Sequence, residues 1–248
     1  MKRAARYWVR MVWLCFALGP TSALALVVGQ IDTFQDLTTD GWFAGGLGPP
    51  AQIPPFPPHV VATGGPAGAG DAYLDIAAVS GEGPGSRLVA INATQWAGDY
   101  LGSGVGFVSM DLVNLGATEL VIRLLFEDPM GGPPVDEAVT TTGFALAVGS
   151  AWQHAVFPIA PADFTVLRGD INELLAHTTL VRIIDAPTPT EAVHIVGVLG
   201  VDNIAAAPGR QLPTPASLWL VAAAILAWAV AGRRARFAKV RVDTTRQY

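Results

Sequence analysis

Cysteine is almost absent from this chain, and its scarcity excludes several classes of protein. The only cysteine among the 248 residues is Cys15, in an apolar segment near the N-terminus. The body of the chain can therefore form no disulfide and has no catalytic thiol. Leu14 is too large for the small residue that lipoprotein processing requires before a lipid-bearing cysteine. The sequence thus excludes a disulfide scaffold, a thiol enzyme and a lipid anchor.

Charged residues are also few, at 14% of the chain, and most charges in its body have one sign. Between residues 26 and 210 there are five basic and 19 acidic residues, a formal charge of -14. A surface of this sign repels phosphate groups, keeps the protein soluble and offers carboxylates to divalent cations. Nucleic acid is therefore excluded as a partner.

Motifs that carry catalysis are missing as well. The chain has no Gly-x-Ser-x-Gly, no His-Glu-x-x-His and no phosphate-binding loop before a helix. The pairs Glu127-Asp128 and Asp136-Glu137 flank one loop and could supply the acid and base of a glycosidase. Neighbouring residues of a strand point to opposite faces, however, which argues against either pair. The histidines fall in four separate segments and predict no catalytic site: His59, His154, His177 and His194. We therefore predict a non-enzymatic protein.

Glycine and proline are abundant, with 27 and 19 residues, and they favour turns and short strands over long helices. Period-two alternation predicts an all-β antiparallel sandwich over residues 26–206. The same alternation predicts a central hairpin from residues 105–113 and 119–127. Asp170 is a helix-capping residue and predicts one short helix at 171–176. The remaining predicted strands are residues 27–36, 72–77, 87–92, 138–148, 152–158, 179–185 and 194–204.

Both ends of the chain carry export signals. Residues 1–25 combine a basic start, an apolar run and an Ala-x-Ala pattern, which predicts a cleaved signal peptide. A linker at residues 207–215 then leads into an apolar run of 17 residues, 216–232, which can form a helix of about 25 Å. Since the hydrocarbon core of a bilayer is about 30 Å thick, this run predicts one transmembrane helix. The basic tail at residues 233–248 then stays in the cytoplasm.

The order of features in this tail resembles the PEP-CTERM sorting signal of Gram-negative bacteria. The resemblance rests on a Pro-x-Pro element, an apolar run and an arginine cluster: Pro213, Thr214, Pro215, Arg233, Arg234 and Arg236. Thr214 stands where that family has its name-giving Glu. The resemblance implies an exosortase-type membrane protease as partner. It also implies an intermediate anchored in the inner membrane and delivery to the cell surface or the extracellular polymer.

A second resemblance concerns the sandwich. The segments Asp32-Thr-Phe-Gln-Asp36, Gly70-Asp-Ala-Tyr-Leu74 and Val201-Asp-Asn-Ile204 are similar to the framing strands of galactose-binding-like and carbohydrate-binding-module jelly rolls. This resemblance implies that the first and last strands are neighbours. It further implies a possible carbohydrate or exopolysaccharide ligand and a structural calcium held by Asp36 and Asp202. Gln35 stands where such modules commonly have Glu.

Aromatic residues could provide the sugar-stacking surface of such a module. The candidates are Trp42, Trp96 and Trp152 with Tyr73 and Tyr100. Trp96 and Tyr100 lie in a polar, glycine-containing stretch, so we predict that both are exposed and contact a ligand. The alternative function is a permanently anchored carbohydrate-active enzyme or sugar-binding module whose tail is only a membrane helix.

Overall fold

A computed structural model describes residues 26–44, 58–82, 85–128 and 133–209 of the chain. The described residues up to Ala207 belong to one compact unit. The predicted signal peptide, Pro-x-Pro element, transmembrane helix and basic tail lie outside the described residues. Within those residues, no helix is both long enough and apolar enough to cross a bilayer.

The described chain consists mainly of strands, with two short α-helices and one 3-10 turn at Pro161–Asp163. In chain order the elements are β1 (Ile31–Asp32), β2 (His59–Val61), β3 (Tyr73–Val79), β4 (Val89–Asn92), α1 (Tyr100–Ser103), β5 (Val105–Asn114), β6 (Leu120–Asp128), β7 (Asp136–Thr140), β8 (Phe144–Leu146), β9 (Gln153–Pro158), β10 (Phe164–Arg168), α2 (Ile171–Ala176), β11 (Leu180–Asp185) and β12 (Val196–Pro208).

The strands form two sheets. Sheet A has the order β2-β3-β12-β5-β9, with β1 paired to β12. Sheet B has the order β10-β7-β6-β11-β4, with β8 paired to β6. The first and last strands are antiparallel neighbours, with Ile31 opposite Ala205, as the resemblance to jelly-roll modules implies. The predicted all-β, two-sheet antiparallel sandwich is confirmed.

Alternating side chains of both sheets fill the space between them. On β6 the inward residues include Leu120, Ile122 and Phe126, which are fully buried. On β5 the inward residues include Met110 and Leu112, which belong to the same core. Each such side chain stabilises the fold by about 1.5–3 kcal/mol when it leaves water. The alternation predicted for residues 119–127 is therefore confirmed.

The predicted central hairpin is wrong, because β5 belongs to sheet A and β6 to sheet B. The apolar face of each strand packs on the one core from opposite sides, so the connection between them crosses from one sheet to the other. Gly116 lies in this crossing. A Cβ atom there would stand 2.9 Å from the Val198 amide nitrogen, so the crossing needs a glycine.

The predicted strand at residues 138–148 is divided into β7 and β8. Arg123 of β6 occupies the break, where its Nη1 donates hydrogen bonds to the carbonyl oxygens of Thr140, at 2.8 Å, and Thr141, at 2.6 Å. Both carbonyls thus bond to a side chain of β6 at the point where β7 ends. A period-two pattern does not show where a buried guanidinium will interrupt a strand. The sequence therefore predicted one continuous strand where the structure has two.

Other differences concern the ends of elements. The predicted first strand at residues 27–36 is reduced to β1, since Gly29 and Phe34 on either side of it adopt φ angles of 89° and 57°, outside the strand region. The short strands β2 and β10 were not predicted. The helix α2 is confirmed with its cap, because the Asp170 carboxylate accepts from the amide of Asn172 at 2.7 Å.

Candidate functional site

The predicted exposure of Trp96 and Tyr100 is wrong, since each residue is only 1% exposed and neither ring is open to a ligand. The indole Nε1 of Trp96 donates to Asp32 at 2.7 Å, and the Tyr100 hydroxyl donates to the Trp96 carbonyl at 2.8 Å. The Tyr100 ring also packs edge-on against Phe126 with a centroid distance of 4.9 Å. The polar stretch around these residues therefore turns both rings into the core.

Asp32 is the centre of this buried joint. Its Oδ2 atom accepts hydrogen bonds from the indoles of Trp42 at 2.8 Å and Trp96 at 2.7 Å. Burial raises the pKa of the Asp32 carboxyl, and these two hydrogen bonds offset only part of the effect. Asp32 is 5% exposed, so we assign it to the framework of the fold.

A different aromatic pair lies on the outer face of sheet A. The rings of Tyr73 and Trp152 meet edge to face, with centroids 5.3 Å apart and an interplanar angle of 75°. Both residues are half-buried. On β3, Leu74 and Ile76 point into the core, so alternation turns Tyr73 outward. The Trp152 indole donates to the Gly64 carbonyl at 3.0 Å, which fixes the ring against the neighbouring loop.

Gly200 of β12 forms the floor beneath this pair. A Cβ atom added there would lie 2.6 Å from Val113 Cγ1, 3.1 Å from the Trp152 ring and 3.3 Å from the Tyr73 ring. The two aromatic rings can thus settle on the sheet only because residue 200 has no side chain. The pair is built into the face of the sheet and does not hang from a loop.

Polar side chains frame the pair on its β2 side. Asp75 of β3 is the antiparallel partner of both Gly200 on β12 and His59 on β2. Burial raises the pKa of the Asp75 carboxyl, while His59 acts in the opposite direction. Asp75 therefore places a hydrogen-bonding group next to the aromatic floor.

On the β9 side, Asp111 of β5 stands directly opposite His154 of β9. The Asp111 Oδ1 atom lies 2.8 Å from His154 Nδ1. The second oxygen of Asp111 accepts from Asn203 Nδ2 at 2.9 Å. Asn203 has φ of 52°, a conformation that asparagine adopts more readily than most residues. Since the His154 side chain is 60% exposed, this group faces water.

We use the name "sheet A platform" for the outward set on this face: Tyr73, Asp75, Asp111, Trp152 and His154, with Gly200 as floor. An aromatic surface with hydrogen-bonding groups on two sides is suited to an uncharged polyhydroxylated ring, which offers apolar C–H faces and hydroxyl edges. The carboxylates disfavour an anionic ligand.

The predicted calcium residues are not brought together into a metal-binding group. Asp36 is exposed, and its Oδ1 accepts from the amide and the hydroxyl of Thr38 at 2.9 and 2.8 Å. Asp202 is fully buried, and burial, with smaller contributions from Asp71 and Asp111, raises the pKa of its carboxyl to about 7. Among the described residues no cluster of three or more His, Cys, Asp or Glu side chains could hold a metal ion. Calcium at Asp36 and Asp202 stays a prediction.

A cleft of about 580 Å³ lies beside Asp32, Asp36 and Asp40. Phe34 is the aromatic residue of its lining, and it is 1% exposed. The cleft therefore offers polar groups without an accessible aromatic surface, unlike the sheet A platform.

The strand register places the four carboxylates considered for a glycosidase opposite each other in two cross-strand pairs. Glu127 of β6 stands directly opposite Glu137 of β7, and Asp128 stands opposite Asp136. Glu127 and Glu137 are 3% and 4% exposed, respectively. The two glutamates share the outer face of sheet B, where a substrate has no access to them.

Sequence reasoning named Tyr73 and Trp152 among the possible aromatics but selected two others. Local composition around Trp96 and Tyr100 suggested exposure, whereas strand parity decides it. Tyr73 and Asp75, and likewise Trp152 and His154, are two residues apart and so share one face. An outward aromatic followed by an outward polar residue was the signal that could have identified both sides of the platform.

No protein-family model matches this chain, and no curated protein matches it. Solved structures do match. The chain is similar to a family 11 carbohydrate-binding module of a cellulosomal cellulase from Clostridium thermocellum, at 13% identity and a TM-score of 0.47, over 77% of this chain and 100% of that one. It is also similar to a xylan-binding CBM22-1 domain from Paenibacillus barcinonensis, at 13% identity and a TM-score of 0.43, over 75% of this chain and 99% of that one.

A third similar structure is an exo-beta-agarase, at 13% identity and a TM-score of 0.49. The match covers 74% of this chain but 25% of the agarase chain. The ligands and substrates in these descriptions are those of the three similar proteins.

Proposed function

We propose that this chain is an exported, non-enzymatic surface or extracellular-matrix protein whose jelly-roll domain binds carbohydrate through the sheet A platform. The observation that carries the proposal is the Tyr73–Trp152 pair resting on Gly200. Aromatic side chains left half-exposed on a sheet face lose the stabilisation of full burial, which a stacked ligand can restore. Asp75 and the Asp111–His154 pair supply hydrogen bonds to hydroxyl groups at either side.

The charge of the domain favours a neutral polysaccharide over an anionic one. The body of the chain has a formal charge of -14. Arg87, Arg123, Arg168 and Arg182 are its basic residues in the described part. Arg123 donates to backbone carbonyls, and Arg182 pairs with Glu127. A polyuronate would therefore meet repulsion from the domain.

Affinity electrophoresis tests the binding proposal. The full chain, kept soluble in a detergent without a sugar head group, is run through native gels containing a soluble neutral β-glucan, agarose oligomers or alginate. We expect retardation by at least one neutral polymer and none by alginate. Equal migration in all gels would contradict carbohydrate binding, and retardation by alginate alone would contradict the charge argument.

We also propose that the tail directs sorting by an exosortase-type protease, with an intermediate anchored in the inner membrane. Support comes from the ordered Pro213-to-Pro215 element, apolar run 216–232 and Arg233 to Arg236. Intact mass of protein from the membrane and the medium of the native host tests this proposal. We expect a released form that starts at Leu26 and ends near Pro213.

Recovery only from the membrane, with a mass that extends to Tyr248, would contradict sorting and favour the permanently anchored alternative. The two experiments are independent, because the electrophoretic result depends on the sheet A platform and the mass depends on the tail.

A further inference from the structure

A cluster of three carboxyl groups and one guanidinium lies on the outer face of sheet B, away from the sheet A platform. Glu127 and Glu137 stand opposite each other on β6 and β7, and both are nearly fully buried. Arg182 comes from β11. Glu191 comes from the connection between β11 and β12, and its side chain is 50% exposed. We refer to these four residues as the sheet B carboxyl cluster.

The cluster has more acid groups than cations to balance them. Arg182 Nη2 lies 2.6 Å from Glu127 Oε1, and its Nη1 lies 3.9 Å from Glu191 Oε2. Arg168 of β10 is the backbone partner of Glu137 on the other side, but its Nη1 donates to the Pro134 carbonyl at 3.0 Å. On α2, which also packs against β7, Glu173 is paired with His177 at 3.7 Å. Glu137 is thus left without a cation of its own.

The Oε1 atom of Glu137 is buried and has no hydrogen-bond donor in the part of the chain that the structure describes. The same cluster holds two more carboxyl groups: Glu127, the direct partner of Glu137 on β6, and Glu191, which Arg182 joins to Glu127. Of these two, Glu191 is placed to share a hydrogen bond with Glu137. Two carboxylates cannot hydrogen-bond to each other, because neither has a hydrogen to donate. A single proton shared by the two carboxyl groups supplies the missing hydrogen-bond donor. A proton also needs no space, which suits atoms that water cannot reach.

Residues 186–195, which include Glu191, form a strap over the outer face of sheet B. Ala186 and Ala192 pack there on Leu125, Val139 and Ile184, a small apolar cluster separate from the main core. The contact between Glu191 and Glu137 therefore joins the strap to β7 next to this cluster. Backbone hydrogen bonds hold both ends of the strap, from Ala186 to Val121 at 2.9 Å and from Ile195 to Ser86 at 3.1 Å. The carboxyl contact is an additional side-chain tie, so its loss makes opening of the strap easier.

We propose that a proton shared by Glu137 and Glu191 fastens residues 186–195 over the outer face of sheet B, and that the strap opens when this proton is lost. The device would make the domain sensitive to pH close to neutrality. It is independent of the sheet A platform, which lies on the opposite outer face.

The direction of the pH dependence follows from the cluster. Burial, then the hydrogen bond and charge of Glu191, then the charge of Glu127, raise the pKa of Glu137 to about 7 from an ordinary value of 4.5, and the charge of Arg182 opposes them only in part. The closed strap therefore holds one more proton than the open strap between those two pKa values. Closing is favoured at low pH and weakens as the pH rises towards 7, with an opening constant that changes by up to about tenfold per pH unit.

Hydrogen–deuterium exchange of the full chain from pH 4.5 to 8.5, read by mass spectrometry on peptides that cover residues 186–195, tests the proposal. After correction for the intrinsic exchange rate, we expect protection to fall by at least tenfold between pH 5 and 7.5. In Glu137→Gln the neutral amide can donate to Glu191 at every pH, so the step should disappear with the strap closed. The control, Glu119→Gln, replaces an exposed carboxylate and should keep the step.

A second variant keeps the test decisive if Glu137→Gln does not fold. Glu191→Gln removes one neighbouring negative charge and supplies a donor, so the midpoint of the step should shift to lower pH by about one unit or more. Protection that is constant over this pH range in the unchanged chain would overturn the proposal. A step that persists unshifted in both variants would overturn it as well.

Discussion

Replacing Trp152 by alanine should abolish most of the affinity for the neutral polysaccharide that the unchanged chain binds. Central aromatic contacts commonly contribute 2 kcal/mol or more to binding, which corresponds to a loss of about 30-fold or more. The Trp152 ring covers Gly200 and packs on Tyr73, so its removal also releases the second aromatic ring. Affinity electrophoresis at several polymer concentrations measures the change.

Two further variants separate a local effect from a general one. Val166→Ala removes an apolar side chain that is 43% exposed on sheet B and should leave binding unchanged. Gly200→Ala keeps both rings but adds a methyl group 2.6 Å from Val113 Cγ1, so it should displace the platform and weaken binding. Retained affinity in a folded Trp152→Ala chain would contradict the role of the sheet A platform.

The largest loss of stability should come from Asp32→Ala. The change leaves the indole N–H groups of Trp42 and Trp96 buried without their acceptor. Each buried donor without a partner costs about 1–3 kcal/mol, so the free energy of unfolding should fall by about 2–6 kcal/mol. Equilibrium urea unfolding of the full chain, followed by tryptophan fluorescence, measures this loss.

Asp36→Ala is the matched control for Asp32→Ala. Asp36 is an exposed aspartate four residues away, and it loses only hydrogen bonds to Thr38. Its replacement should cost no more than about 1 kcal/mol. Equal losses in the two variants would contradict a structural joint centred on Asp32.

The alternation of apolar residues predicts most of the sandwich, because a half-buried strand must place apolar side chains on one face. Leu120, Ile122 and Phe126 follow this rule, and so does the cap of α2 by Asp170. The placement of β5 and β6 in two different sheets could not be predicted in the same way. Two strands that line one core from opposite sheets have the same pattern as two strands that pair in one sheet.

The candidate site was predictable in part. Tyr73 stands at an outward position of β3, and Trp152 directly precedes β9. The inward residues of both strands are plain from the sequence. The proximity of Tyr73 and Trp152 depends on the order β3-β12-β5-β9 in sheet A, which no local pattern contains. The burial of Trp96 follows from a distant acceptor, Asp32, which lies 64 residues earlier in the chain. Contacts over such separations are decided by topology.

Hydroxyl-radical footprinting with and without the bound neutral polysaccharide tests the central claim most directly, because it reports which side chains the ligand covers. We expect the oxidation of Trp152 and Tyr73 to fall when the polymer is present. Trp42 and Trp96, which are buried in the free protein, should show little oxidation in either state. Unchanged oxidation of Trp152 and Tyr73 under conditions where the polysaccharide is bound would contradict the sheet A platform as the binding site.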